Sequence, residues 1–269
     1  MRTIAQISDL HFGRHIATVA EGLLASLSEQ NPDLVVLSGD FTQRARHAEF
    51  AEARRFLERI VQPKLVIPGN HDVPLYNLFR RFMTPFAKYH HYVTPMGLPA
   101  DLFIDEELAV LGLNTARRFT GKNGRVSLDQ IARITRVFRA FPRETFKILV
   151  THHPLAAPSG QKELDLAERS ALALTTIAQA GVHLLLSGHH HRALSGHIGP
   201  EIGYNGSVLI VHAGTAISSR IRAGEGNTYN LIRIAGEHLA VTVMEWAASG
   251  FIESHTVSYS FHEDRWGLA

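Results

Sequence analysis

Five short apolar runs of this sequence each end in side chains that bind metal ions or carry protons. These endings are Asp9-Leu10-His11, Gly39-Asp40, Gly69-Asn70-His71-Asp72, His152-His153-Pro154 and Gly188-His189-His190-His191. Neutral imidazole is the commonest metal ligand in proteins, and carboxylates are ligands for harder cations. In an α/β sheet, ligands bind at the carboxyl ends of the strands. The pattern therefore predicts that these side chains meet at one edge of a sheet and form a metal site.

The three consecutive histidines, 189 to 191, could by themselves be either a solvated loop or part of a metal site. The recurrence of ligand-type residues at four other run ends favours the metal site. Alternate side chains of an extended chain face the same way. We therefore expect His189 and His191 to converge, and His190 to take a supporting or solvent-facing position. The same alternation is expected to turn Asp9 and His11 to one side.

The apolar runs predict the elements that must position these side chains. Runs of this length, rich in Val, Ile and Leu and closed by Gly or Pro, are typical of buried strands. The predicted strands are Thr3–His11, Asp33–Asp40, Lys64–Asp72, Phe146–Pro154 and Val182–His191. Helical patterns lie between them, over Ile16–Gln30, Arg44–Ile60, Asn77–Tyr89, Ser127–Ala140 and Glu163–Ala180. Strands alternating with helices predict βαβ units and layered sheets.

The C-terminal part has a different pattern, in which β-rich segments follow one another without helices. Antiparallel strands are predicted over Val208–His212, Thr228–Ile234, Leu239–Trp246 and Phe251–Tyr259. No linker or repeat interrupts the chain. We therefore expect a single domain over residues 1–269 with a β-rich part from about residue 208.

Composition narrows the classes of function. The chain has 269 residues and a formal net charge of +2, which is too small to indicate a nucleic-acid or membrane partner. It contains no Cys, so any metal must be held by nitrogen and oxygen ligands. No run approaches the roughly 18 apolar residues of a membrane span, and the first apolar stretch is too short for a signal peptide. A cytoplasmic location is the expectation.

The ordered series of motifs resembles the calcineurin-like metallophosphoesterase family, with its D-x-H, G-D, G-N-H-[DE], H and G-H-x-H motifs. The resemblance covers roughly residues 3 to 215 and looks most like the class III cyclic-nucleotide phosphodiesterase branch. It implies a four-layer α/β/β/α sandwich of two mixed sheets flanked by helices. Asp9, His11 and His191 would then hold one metal, Asn70, His152 and His189 a second, and Asp40 would bridge both.

The resemblance also implies a mechanism. Two divalent or trivalent ions, for which this ligand set suits Mn, Fe or Zn better than Mg or Ca, would generate a hydroxide that attacks a phosphodiester. His71 would protonate the leaving alkoxide, and Asp72 would orient the His71 ring. A buried, purely structural His71 is the alternative interpretation.

The leading hypothesis for function is a phosphodiesterase acting on cyclic nucleotides or other small phosphodiesters. A phosphomonoesterase with the same site stays open, as does a non-catalytic metal-binding interaction module, although all seven ligand positions are present. A nuclease is disfavoured because phosphate-backbone binding usually needs a basic stripe. A homodimer through the tail from Val208 is a further hypothesis. We expect one or two of Arg14, Arg44, Arg117, Arg118, Arg220 and Arg222 to bind substrate.

Three residues beside the motifs have two interpretations each. His153 is either a supporting group for the site or a loop histidine. Asn114 is either a substrate contact or, as we favour, a turn-forming residue. His212 lies near the motif segments and could join their hydrogen-bond network.

Overall fold

The computed structural model describes residues 1–94, 101–119, 122–158, 164–198, 208–263 and 265–269. Its strands are β1 (Arg2–Ile7), β2 (Leu34–Leu37), β3 (Lys64–Val66), β4 (Leu102–Ile104), β5 (Leu108–Leu113), β6 (Phe146–Thr151), β7 (Leu184–Ser187), β8 (Leu194–His197), β9 (Leu209–His212), β10 (Thr228–Ala235), β11 (His238–Ala247), β12 (Gly250–His262) and β13 (Arg265–Leu268). Its helices are α1 (Ala17–Gln30), α2 (His47–Arg59), α3 (Leu78–Met83), α4 (Ala87–Tyr92), α5 (Leu128–Phe138) and α6 (Ser170–Gln179), with a 3-10 turn over Asn70–Asp72.

The first sheet has the strand order β13-β12-β11-β10-β1-β2-β3. Strands β1, β2 and β3 are parallel, and β10 to β13 are antiparallel. Ile7 pairs with Leu37, and Leu37 pairs with Val66, at the carboxyl ends of the three parallel strands. Because these ends are level, the segments that follow them start at the same edge of the sheet.

The second sheet has the order β4-β5-β6-β7-β9-β8, with β5, β6, β7 and β9 parallel. The prediction that Val208–His212 is simply one of the antiparallel strands of the tail is wrong. Its strand, β9, is parallel to β7 and antiparallel only to β8. All four residues of β9 are buried, as expected for a parallel strand covered on both faces.

Three apolar cores separate the layers. Ala5 and Ile7 of the first sheet pack against α1 and α2. Ile4 faces the other way and packs between the sheets with residues such as Ile148. Leu149, next to Ile148, faces α5 and α6. This alternation along buried strands gives two mixed sheets flanked by helices, and the predicted four-layer α/β/β/α sandwich is confirmed.

Two predicted helices differ from the observed ones. The segment Asn77–Tyr89 contains two short helices, α3 and α4, because Pro85 cannot continue a helix and restricts the residue before it. The helix expected over 163–180 begins only at Ser170, since Arg169 has a left-handed backbone with φ of 63°. Glu163 lies outside the described residues.

The helices in the described part of the chain lack the length and apolar character needed to cross a membrane. The extent of the domain, residues 1–269, stays a prediction.

Candidate metal centre

The segments after β1, β2, β3, β6 and β7 converge at the seam between the two sheets. The first three belong to one sheet and the last two to the other, so the expectation of a single sheet edge is corrected. Four groups have ligand atoms within 4.8 Å of one another: Asp9 with His11 and His191; His11 with Asp40 and His71; Asp9 with Asp40 and His152; and His152 with His153 and His189.

One half of this centre is formed by Asp9, His11 and His191. Nε2 of His191 lies 3.1 Å from Oδ1 of Asp9 and 3.2 Å from Nε2 of His11. Nε2 of His11 lies 3.6 Å from the same Oδ1. Three atoms with lone pairs therefore face one another over distances that a cation could bridge.

The other half lies across Asp40. Nε2 of His152 is 3.4 Å from Oδ1 of Asp40 and 3.2 Å from Oδ1 of Asn70. The second oxygen of Asp40, Oδ2, lies 3.7 Å from Nε2 of His11 in the first half. A carboxylate with one oxygen toward each half is in a position to bridge two cations. His189 borders this half, with its ring centroid 5.2 Å from that of His152.

Hydrogen bonds to backbone carbonyls fix the orientation of three of the rings. Nδ1 of His11 lies 3.4 Å from the Thr42 carbonyl oxygen, Nδ1 of His152 lies 2.8 Å from that of Ser38, and Nδ1 of His191 lies 2.9 Å from that of Arg220. A ring nitrogen that faces a carbonyl must carry the proton. The Nε2 lone pairs therefore point into the centre, as in metal-binding histidines.

The charge balance of the centre fits a cation. Oδ1 of Asp9 is buried and has no hydrogen-bond partner among the described residues. Although burial opposes ionisation, His191 holds the pKa of Asp9 well below its usual range. Burial lowers the pKa of His11, and it lowers the pKa of His189 to about 3, so both rings are neutral ligands. Against burial, Asp40 raises the pKa of His152 to about 9, and a metal ion there would take the place of that proton.

Five of the seven candidate ligands have a left-handed and not an extended backbone. Left-handed φ values occur at Asp9 (54°), His11 (46°), Asp40 (56°), His189 (75°) and His191 (55°). The expectation that simple strand alternation aligns these side chains is therefore wrong, although the pairs do converge. Hydrogen bonds between segments hold the unusual backbone: the N–H of Asp9 donates to the Gly39 carbonyl and that of His11 to the Asp40 carbonyl. Non-glycine residues in this region are uncommon and cluster at functional sites.

Gly39, which precedes Asp40, is required by both conformation and space. Its φ is +102°, and a Cβ atom placed there would lie 2.5 Å from Nδ1 of His152. Any larger residue would displace the His152 ring from the centre.

The sequence match to known families agrees with this geometry. Residues 2–193 match the family model of the calcineurin-like phosphoesterases. This chain is a calcineurin-like phosphoesterase. The family is one of dimetal phosphoesterases, and the His and Asp groups described above could hold the metal ions.

Two curated relatives resemble this phosphoesterase in sequence. A probable cyclic nucleotide phosphodiesterase of Synechococcus is 27% identical over 204 residues, which cover 71% of this chain and 74% of the relative. A glycerophosphodiester phosphodiesterase of Enterobacter lignolyticus is 38% identical over 80 residues, which cover 26% of this chain and 29% of the relative.

Solved structures share the fold. A dimetal phosphatase from Danio rerio aligns with a TM-score of 0.61 at 12% identity and covers 94% of this chain and 98% of its own. A purple acid phosphatase from yellow lupin seeds aligns with a TM-score of 0.61 at 11% identity, over 96% of this chain and 53% of its own.

In this phosphoesterase, Asp72 does not orient the His71 ring, and that expectation is corrected. Oδ2 of Asp72 accepts hydrogen bonds from the backbone N–H groups of Phe41 (3.2 Å) and Gly69 (2.9 Å). Oδ1 accepts from the N–H of Thr42 (2.9 Å) and from its hydroxyl (3.0 Å). Burial and the neighbouring Asp40 raise the pKa of Asp72 to about 7. Asp72 therefore joins the segment after β2 to the segment after β3.

His71 is oriented instead by the Gln43 carbonyl, whose oxygen lies 2.8 Å from Nδ1. Its backbone N–H donates to Oδ1 of Asp40 at 2.8 Å. Nε2 lies 3.2 Å from Nη1 of Arg220 and lines the cleft. With Nδ1–H held by a carbonyl, Nε2 is the atom that can exchange a proton with a bound molecule.

His153 and His190 are both buried. The ring nitrogens of His153 lie 2.8 Å from the Thr115 hydroxyl and 3.1 Å from the Lys122 carbonyl, so the ring supports His152 and His189 from behind. The alternation of side chains in an extended strand allowed a solvent-facing His190, but the observed side chain is buried.

The other two residues with open interpretations also take structural positions. Asn114 forms a turn, with Oδ1 accepting from the Ala116 N–H at 3.0 Å. Nε2 of His212 lies 3.1 Å from the Ala156 carbonyl oxygen, and the ring is fully buried.

A cleft of about 430 Å³ lies over the centre. Arg220, Arg222 and Lys122 line it together with His71 and Asp40. Of the other arginines singled out from the sequence, Arg117 and Arg118 are bound to backbone carbonyls. Lys122 was missed, because a single lysine in a glycine-rich turn has no sequence signal that separates it from a surface charge.

Proposed function

We propose that this chain is a metal-dependent phosphodiesterase that hydrolyses small phosphodiesters. The observation that carries the proposal is the position of Asp40, whose two oxygens face two separate sets of imidazoles beside His71. The relative named as a probable cyclic nucleotide phosphodiesterase, which aligns over most of both chains, supports diesters over monoesters. The proposed substrate is a small molecule, with no membrane or nucleic acid as partner.

The proposed ligands are Asp9, His11 and His191 for one ion, Asn70, His152 and His189 for the other, and Asp40 for both. This set of imidazole, carboxylate and amide donors favours Mn, Fe or Zn. When bound, the two ions would neutralise phosphoryl charge and activate a water molecule for attack on phosphorus.

The residues of the chain supply binding and proton transfer. The Arg220 guanidinium, at the mouth of the cleft, can bind a phosphoryl oxygen. His71 in its protonated form donates Nδ1–H to the Gln43 carbonyl and can give the Nε2 proton to the leaving oxygen. Since Arg220 and a protonated Nε2 are both donors, substrate binding must draw the guanidinium away from its present position 3.2 Å from Nε2.

The test compares activity and metal content in three variants. The purified protein is loaded with Mn, Fe or Zn and assayed with bis(4-nitrophenyl) phosphate, 3′,5′-cyclic AMP and 4-nitrophenyl phosphate. Asp40→Ala should lose metal and activity together. His71→Gln should keep the metals and lose about 10²–10⁴-fold in kcat, most for poor leaving groups. His255→Gln, at an exposed position far from the centre, is the matched control.

Each alternative has its own outcome in this assay. Turnover of the monoester alone would identify a phosphomonoesterase. Full metal loading with no hydrolysis of any ester would favour a metal-binding interaction module. Equal metal loss in the Asp40 and His71 variants would contradict the division of roles.

A further inference from the structure

The cleft over the centre has a second lobe. The first lobe, of about 430 Å³, is lined by Arg220, Ile221 and Arg222 and by four of the seven candidate ligands, Asp40, Asn70, His189 and His191. The second lobe has a volume of about 290 Å³ and is lined by Gln43, Arg44, Val73, Leu75, Tyr76 and Arg81. Asn70, His71 and Lys122 line both lobes, so the two meet at the proposed proton donor.

One wall of the second lobe is apolar and exposed. Leu75 is 54% exposed and Tyr76 is 68% exposed, so both side chains present apolar surface along this wall. The Tyr76 ring is held in place by Arg44, whose Nη1 donates to the hydroxyl at 2.8 Å. An ordered aromatic side chain beside a reactive histidine is suited to pack against a ring or an apolar chain of a substrate.

The floor of the second lobe contains a buried charge. Arg81 is only 8% exposed. Its Nε donates to the Arg118 carbonyl at 2.8 Å and its Nη1 to the Pro74 carbonyl at 3.2 Å. Within the described ranges, no carboxylate lies at ion-pair distance from this guanidinium. Buried arginines are normally paired with an anion, so this lobe lacks a negative charge that a ligand could supply.

The positive charges around both lobes outnumber the single negative charge of a simple phosphodiester. Arg44, Arg81, Arg220 and Arg222 line the two lobes, as does Lys122, whose charge is paired with Asp165 at 2.9 Å. Among the described lining residues Asp40 is the only acidic one, and it belongs to the metal centre. A cyclic nucleotide carries a single negative charge and one nucleoside. Complementarity of charge and shape therefore favours a substrate with two arms and a second anionic group.

We propose that the substrate is a linear phosphodiester whose leaving-group arm carries an aromatic or apolar group and a second anionic group, and that this arm occupies the second lobe. The inference rests on the proposed phosphodiesterase activity. In an in-line displacement the leaving oxygen lies opposite the attacking water. Asp40, His189 and His191 line only the first lobe, and His71 stands between the lobes. The leaving arm therefore points past His71 into the second lobe, where Arg81 and Arg44 bind its anionic group.

The reaction adds one water across one P–O bond. The water oxygen forms the new bond to phosphorus, and the bond to the leaving oxygen breaks with its electron pair on that oxygen. His71 protonates the leaving oxygen, and the proton lost by the water passes to solvent. The products are a phosphomonoester and an alcohol that carries the second anionic group.

The test uses dinucleotides that differ in one terminal phosphate. The Mn-loaded protein is assayed with thymidylyl-thymidine, with its 5′-phosphorylated and 3′-phosphorylated forms, and with 3′,5′-cyclic AMP. We expect one phosphorylated form to have a kcat/KM at least about tenfold above that of the unphosphorylated dinucleotide, as for a charge-assisted hydrogen bond. Product analysis should show that its phosphate-bearing nucleoside is the leaving group.

Substitutions of the arginines that line the second lobe test where the second anionic group binds. Arg81→Met and Arg44→Gln should each reduce the tenfold ratio toward one, whereas Arg54→Gln on α2 should preserve it. Arg81→Met could unfold because it loses two carbonyl contacts. In that case the surface variant Arg44→Gln and the substrate ratio in the unmodified protein still test whether the second lobe binds the anionic group.

The outcomes separate the two proposals. Hydrolysis of all dinucleotides at equal rates, or a preference for cyclic AMP, would overturn the inference and leave the phosphodiesterase proposal standing. Failure to hydrolyse any diester, bis(4-nitrophenyl) phosphate included, would overturn both.

Discussion

Loss of the acceptor oxygens of Asp72 should destabilise the protein, because these oxygens join two ligand-bearing segments. In Asp72→Asn one acceptor oxygen becomes a donor. If the amide nitrogen takes the place of Oδ2, the N–H groups of Phe41 and Gly69 lose their acceptor. If the amide nitrogen takes the place of Oδ1, only the N–H of Thr42 loses its acceptor. The Thr42 hydroxyl still has an acceptor, because it can donate to the His71 carbonyl at 3.0 Å.

The cheaper orientation sets the expected loss. One buried N–H left without an acceptor costs about 1–3 kcal/mol, which is the hydrogen-bond loss expected in Asp72→Asn. The neutral amide also escapes the burial and the Asp40 repulsion that raise the pKa of Asp72, and this offsets the loss above pH 7. Asp72→Ala is equally uncharged but removes the acceptor of all three N–H groups, so it should be less stable than Asp72→Asn by at least about 2 kcal/mol. Both variants should also bind metal about 10–100-fold more weakly, because the segments that carry Asp40 and Asn70 are no longer joined.

The assay is urea unfolding at pH 8.5, where a carboxyl group with a pKa of about 7 is ionised. Chelator is present so that metal binding does not contribute to stability. Asp129→Asn, at an exposed position in the first turn of α5, is the matched control. If Asp72→Asn and Asp72→Ala agree within about 0.5 kcal/mol, a range typical of surface substitutions such as the control, the N–H groups do not depend on an acceptor at position 72 and the reasoning is wrong.

Three further predictions follow from the centre and from a buried histidine. Gly39→Ala should lose most metal binding through its contact with His152, whereas Gly236→Ala, also at positive φ but in open space, should not; equal metal contents would contradict this. Chelation should abolish activity and leave the circular dichroism spectrum unchanged, because carbonyls hold the rings of the centre without an ion; unfolding on chelation would refute it. Burial and Lys147 lower the pKa of His183 to about 4. The unfolded chain therefore takes up this proton from about pH 6.5 and the folded chain only near pH 4, so stability should fall over that range by up to about 3 kcal/mol. His183→Gln should show a correspondingly smaller loss in urea unfolding measured from pH 7 to 4, and an unchanged slope would count against the assignment.

The positions of the candidate ligands could be predicted from the sequence because each strand ends abruptly. The apolar runs that end at Ile7, Leu37 and Thr151 are followed within three residues by Asp9, Asp40 and His152. Such runs are long enough to be recognised as strands, and the carboxyl ends of parallel strands are where ligand-binding residues collect. The meeting of these residues therefore follows from local pattern and one topological rule.

The backbone conformation of the centre could not be predicted in this way. The left-handed φ of Asp9 depends on a hydrogen bond to the Gly39 carbonyl, 30 positions away in the sequence. The carboxylate of Asp72 likewise turns away from the adjacent His71 to bind Phe41 and Thr42. Contacts between distant segments decide both features, and no local periodicity records them.

Some strands also lacked a usable signal. Strand β8 has four residues, includes a glycine, and is only partly buried, so it has neither the alternation nor the apolar run of a typical strand. Strand β9 did have a signal, because its continuous apolar run differs from the alternating strands that follow it. That difference is what distinguishes a strand covered on both faces from one covered on a single face.

The position of the centre at the seam gives the middle apolar core a role beyond stability. Four of the proposed donors are attached to one sheet and three to the other, so the gap between the two donor groups depends on the spacing that Ile4, Val36, Ile148 and Leu186 maintain between the sheets. Protein interiors are packed tightly enough to transmit the loss or gain of one methylene. Side chains that contact neither an ion nor a substrate would thus set how closely the donors from the two sheets approach each other in each proposed site.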